Sequence, residues 1–111
     1  MYRKPISLVA TIANGQTTSG EIELRDYALA AIVTPAALTS TAITFTVSAT
    51  KGGTYVPLYD SAGNQVSVTV TTSRAYGITG EEADALAAFN FIKLVGGSAE
   101  GAARDLYVVL K

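Results

Sequence analysis

Few side chains in this sequence could carry out chemistry. It contains no His, Cys or Trp, which removes the usual nucleophile–base pairs, the common zinc ligand sets and any base ordinarily poised near neutral pH. No glycine-rich phosphate loop, G-x-S-x-G turn or metalloprotease helix occurs. Carboxylates, hydroxyls and tyrosines remain. Glu81, Glu82 and Asp84 stand close enough in sequence to share a metal ion or an acid/base task, although carboxylates in the first turn of a helix complement its dipole without any ligand. Asp60 and Asn64 offer oxygens in a tight loop where calcium could sit; their spacing matches no EF-hand loop, and both are ordinary turn residues. Tyr55, Tyr59 and Tyr76 could form an aromatic platform for a surface glycan, yet in a chain without Trp, Tyr is also the default large residue at a core edge. Asp60 with Glu81 or Glu82 would be the pair for a carboxylate glycosidase, and nothing in the spacing calls for one. The expectation is a protein that is not an enzyme and needs no cofactor or metal.

The elements that must hold these residues follow a period of two. Ile43, Phe45 and Val47 alternate with Thr44, Thr46 and Ser48, and Val66, Val68 and Val70 with Ser67, Thr69 and Thr71. Strict alternation marks strands with one face on a core. Weaker alternation covers Ile6–Ala13, Ser19–Leu24 and Tyr27–Thr34. Within it, Glu21, Glu23 and Arg25 lie on one face, solvated or guarding an edge, opposite Ile22 and Leu24. Phe91–Gly96 and Asp105–Leu110 are nearly continuous apolar runs, as expected of central strands covered on both sides, by the chain itself or on one side by a partner. Asn14-Gly15 is the strongest hairpin signal. Lys51-Gly52-Gly53 and Asp60 to Asn64 read as turns, and Gly96 to Gly101 as the loosest loop and the best candidate for mobility. Pro57 confines its segment to an edge or a bulge. Thr79-Gly80-Glu81-Glu82 matches a capping box ahead of a short helix near residues 80–89, with Leu86 and Phe89 facing the core. The fold class is therefore all-β: a single antiparallel β-sandwich of about eight strands, jelly-roll-like, with one short helix. A basic N-terminal arm, residues 1–5, precedes a single domain, residues 6–111.

Composition narrows the partners. The chain has 111 residues, 49% of them hydrophobic and only 15% charged, with a net charge of −1. That is enough apolar material for one core. The basic residues are scattered apart from Arg3-Lys4, so there is no footprint for nucleic acid, and no apolar run is long enough to span a membrane. No export signal is visible, so synthesis in a cytoplasm is the default. Fourteen Thr and eight Ser replace long charged side chains. Such a surface loses little rotamer entropy when buried against a partner, and Thr also suits a solvated strand face.

Several stretches together resemble a family. They are Thr17 to Leu24, Ala31 to Leu38, Ile43 to Ala49, Gly52 to Asp60 and Ala103 to Leu110. Their order is similar to that of small virion structural proteins of tailed bacteriophages, in particular the capsid decoration, cement or staple proteins of short-tailed phages. The resemblance spans most of the chain, from about Thr17 to Lys111, and is one of sequence style rather than of a diagnostic motif. It implies a jelly-roll-like domain on the outer surface of an icosahedral virion, made in the host cytoplasm, bridging neighbouring copies of the major capsid protein. It also implies a homo-oligomer, with a dimer favoured, and no catalytic residues. Candidate contact residues are Tyr2, Arg3 and Lys4 of the basic arm, together with Tyr55, Tyr59, Tyr76 and Tyr107. An alternative on the same fold is a carbohydrate-binding or adhesion module carried by Tyr55, Tyr59 and Tyr76.

Overall fold

The computed structural model describes residues 4–111; Met1 and the arm candidates Tyr2 and Arg3 lie outside the described residues. Among the described residues nine strands and one helix follow in order: β1 (Ile6–Ile12), β2 (Ile22–Glu23), β3 (Leu29–Val33), β4 (Ala42–Ser48), β5 (Val56–Pro57), β6 (Ser67–Thr69), β7 (Ala75–Gly77), α1 (Gly80–Leu86), β8 (Phe91–Gly96) and β9 (Arg104–Leu110). They build two antiparallel sheets. Sheet A has the order β1-β9-β3-β7, and sheet B the order β2-β8-β4-β5 with β6 also on β4. β5 and β6 act as one strand broken in two. β5 pairs with Thr46 and Val47, and β6 with Ala42 to Thr44, both antiparallel to β4. Between them the chain makes a small excursion, in which Tyr59 bridges Gln65. Counted as one edge, β5 and β6 leave eight strand positions, and their order in the two sheets is that of a jelly roll.

The alternating pattern explains the packing. Ile43, Phe45 and Val47 of β4, Ile92 and Leu94 of β8, Ile32 of β3, and Leu106, Val108 and Leu110 of β9 are all buried between the sheets. Thr44 and Thr46 face outward and are half-buried. β8 and β9 are central strands, as their apolar composition suggests, and each is covered by this chain on its inner face. Lys93 and Val95 of β8 lie outward and half-exposed, as do Tyr107 and Val109 of β9. Their runs read as continuous because apolar residues also occupy outward positions, which no second layer of the described residues covers.

Three local expectations change. Asn14-Gly15 does form a tight turn, with Gly15 at φ 79° and the Gln16 N–H donating to the Ala13 carbonyl. It does not make a hairpin, because the chain crosses to the other sheet and only Ile12 and Ser19 bridge. Thr79 is the N-cap residue, but its side chain makes no capping bond. Gly80 enters α1 at φ 60°, so the chain does not pass smoothly from cap into first turn. Leu86 is buried, as expected, and Phe89 packs against the core from its edge.

The third change concerns the loop from Gly96 to Gly101, which is pinned by Glu100. This side chain is fully buried. Its carboxylate accepts from the Thr39 N–H at 2.8 Å, the Ser40 N–H at 3.0 Å, the Ser40 hydroxyl at 2.8 Å and Arg104 Nε at 3.0 Å. Its own main chain accepts from the Gly15 N–H and donates to the Gln16 carbonyl. Burial opposes ionisation here, but the hydrogen bonds from Thr39, Ser40 and Arg104 outweigh it and bring the carboxyl down to about 2. Gly96 belongs to the same arrangement, since a Cβ there would stand 2.2 Å from Ser40 Oγ.

Glu100→Gln leaves Ser40 and Arg104 facing an amide, and should cost about 3 kcal/mol in denaturant unfolding at neutral pH. The folded carboxyl titrates below its ordinary 4.5. Its contribution is therefore complete above that value and lost as the pH falls through about 2. In acid titrations the wild type should lose stability over that window, and the Gln variant should lose less. Equal slopes would show that Glu100 is not the group responsible.

Candidate partner-binding surface

The two outer faces of the sandwich differ in chemistry. On sheet B, Glu21 accepts from the Tyr55 hydroxyl and from the Gly52 N–H at 2.8 Å. Lys93 Nζ lies 4.4 Å from the centre of the Tyr55 ring. Glu23 pairs with Lys51 at 3.5 Å and Arg25 at 3.9 Å. The Tyr55 hydrogen bond, the Gly52 bond and the neighbouring lysines lower the Glu21 pKa. Burial and the adjoining Glu21 carboxylate raise that of Tyr55. This face is polar and its charged groups pair with one another, while Thr46 Oγ1 is buried on it without a hydrogen-bond partner.

Sheet A presents the opposite. Register across its strands places Ser7, Val109, Ala31 and Gly77 in one outward row, and Val9, Tyr107, Val33 and Ala75 in the next. Val9 is 52% exposed and Tyr107 50%. The one charge at the outward positions of these paired strands is Asp105, which accepts a hydrogen bond from Thr11 at 2.7 Å. The face is thus a shallow apolar sheet surface with a tyrosine standing at its middle. Few groups on it need desolvating, and Tyr is a side chain that anchors interfaces well.

The sequence-predicted residues are spread over the molecule. Tyr107 is on the apolar face. Tyr55 belongs to the polar face. Tyr59 lines a cleft of about 500 Å³ with Val56, Leu58, Asp60, Glu81 and Phe89. Tyr76 stands in β7, half-buried against the core, its hydroxyl accepting from the Thr71 N–H at 2.8 Å. Tyr55, Tyr59 and Tyr76 therefore do not share one platform. Lys4 is exposed ahead of β1. Asp60 is a turn residue, its Oδ1 accepting from the Ala62 and Asn64 N–H groups, each at 2.9 Å. Glu81 and Glu82 lie in the first turn of α1. Among the described residues no three acidic side chains are grouped to hold a metal. Val9, Val33 and Val109 went unremarked as site residues because alternation tells which residues share a face, but not which strands lie side by side.

No protein-family model matches the chain, and no curated protein matches it. Among solved structures, it is similar to the crystal structure of the SPBc2 prophage-derived protein YomS, at 15% identity and a TM-score of 0.51. The match covers 100% of this chain and 98% of that one. At such identity the likeness is one of fold.

If the apolar face serves contact rather than folding, Val9→Thr with Tyr107→Thr should change the unfolding free energy by less than about 1 kcal/mol and reduce binding of an apolar fluorescent dye. A larger loss of stability would assign both side chains to packing instead.

Proposed function

We propose that this chain is a non-enzymatic virion structural protein. It binds the outer surface of an icosahedral phage capsid, bridges neighbouring major capsid proteins and strengthens the head. The observation that carries this reading is the outer face of sheet A, uncharged but for Asp105 at its margin and centred on Tyr107. Such a surface suits adhesion to a protein and offers nothing to phosphate or to anionic lipid. The resemblance in sequence to decoration proteins and the shared fold with a prophage-derived protein both favour a phage setting. Each copy needs only modest affinity, because many copies on a closed shell act together, and shell stability then rises with occupancy.

A second reading rests on the cleft beside Tyr59. Its aromatic and carboxylate lining could hold a sugar, making the chain a carbohydrate-binding or adhesion module. A soluble glycan should then raise the melting temperature and change tyrosine fluorescence, and Tyr59→Ala should abolish both effects.

Purified protein added to phage heads assembled without it should bind saturably at regular spacing and delay DNA release on heating or chelation. The Val9→Thr, Tyr107→Thr variant should bind roughly tenfold more weakly or worse, equivalent to about 1.4 kcal/mol. Heads that bind nothing and remain equally fragile would overturn the capsid reading.

A further inference from the structure

The sheet edges are guarded unequally. An exposed edge strand offers unpaired N–H and C=O groups to any passing chain, and proteins blunt such edges with short strands, charges, Pro or bulges. On sheet B, β2 is two residues long and ends at Glu23. The opposite edge is broken between β5 and β6 and carries Pro57. On sheet A, β7 has three residues and ends at Gly77. β1 has none of these devices along its own length, with Lys4 and Pro5 standing just ahead of it. It runs for seven residues, contains no charge, Pro or Gly, and pairs with β9 without a bulge. Among the described residues its other edge is free of any strand and is met only at Ile12, by the bridge to Ser19.

Its side chains are unguarded too. Ile6 and Leu8 share the inward face with buried Ala10 and Ile12, yet are 39% and 37% exposed. Here the sheets part, and a cleft of about 620 Å³ opens between β1 and β2, with Ile22, Leu24 and Tyr27 along it and Glu21, Glu23 and Arg25 on its β2 side.

We infer that β1 is a self-pairing edge: two copies of this chain join antiparallel through Ile6–Ala10, about a two-fold axis at Leu8, merging their A sheets into one. The free stretch is bounded by Ile12, whose edge is taken by Ser19, so its middle is Leu8. In that register Leu8 faces Leu8, Ile6 faces Ala10 and Ser7 faces Val9, and the inward apolar rows of both copies run on into one another. A two-fold axis sets each residue beside its own copy, so any charge on the strand would meet its like. An uncharged strand avoids this, whereas a foreign partner would normally be selected by complementary charge. The inference does not depend on what the apolar face of sheet A binds.

The chain has no cysteine, so Leu8→Cys introduces a unique thiol. Opposed residues in an antiparallel pair hold their Cβ atoms about 4.5–5.5 Å apart, close enough for a disulfide to form with slight adjustment. Sedimentation of the full chain at micromolar concentration should give a dimer, and mild oxidation of Leu8→Cys should convert it to a covalent dimer. Ser67→Cys, on the far sheet, should stay uncrosslinked. Leu8→Lys should sediment as a monomer with an unchanged circular dichroism spectrum. A monomeric wild type would overturn the inference. So would a dimer that survives Leu8→Lys or that fails to crosslink through Leu8→Cys. None of these measurements involves a capsid, so they stand or fall apart from head binding.

Discussion

The end of the sandwich where both sheets meet is organised by one buried carboxylate. Glu100 receives two main-chain N–H groups from residues 39 and 40, a hydroxyl from Ser40 and the Arg104 side chain, while its own peptide is tied to Gly15 and Gln16. Three connections that are far apart in sequence are thereby held at fixed spacing: the turn after β1, the approach to β4 and the link from β8 to β9. A neutral residue of the same shape could not satisfy all four donors. Leaving any of them unpaired inside the protein would cost more than the bond itself contributes. The small residues around it follow from this, with Gly96 lacking the Cβ that would displace Ser40.

With that end closed, the other is free to part. The sheets touch near Ile12 and Ser19 and separate toward Ile6, where inward apolar side chains reach solvent. The two outer faces then divide the remaining work. One is covered by its own ion pairs and by the Tyr55–Glu21 hydrogen bond. The other keeps its valines and Tyr107 uncovered. Valine suits a strand on either face, and here it lies outward on three adjacent strands.

Much of this was legible in the residues. Alternation at Ile43 to Ser48 identified both the strand and its buried face, and Pro57 marked an edge, which the structure extends to a break. Leu86 was placed correctly as a core residue. What could not be read was adjacency. Val9, Tyr107 and Val33 lie far apart in the chain, and only the register of β1 and β3 on β9 brings them into one row. The same limit produced the error at Glu100. A charged residue among glycines, serine and alanine reads as a solvated loop, because its partners at Thr39 and Ser40 sit some sixty positions away. Tyr55, Tyr59 and Tyr76 suggested a cluster from spacing alone, but Tyr76 belongs to the other sheet, and the excursion after β5 takes Tyr59 into its bridge with Gln65.

The position of β9 also governs when the molecule can come into being. It is made after all the other described strands, yet it lies inside sheet A and is the strand on which both β1 and β3 pair. Until a ribosome has made β9, β1 has no mate and the apolar faces of the earlier strands have no complete sheet to close on. Productive folding must therefore wait for the whole domain to emerge, and long-range pairing of this kind is slow. During that interval β1 is exposed on both edges, so a nascent chain has most to gain from folding promptly when β9 arrives.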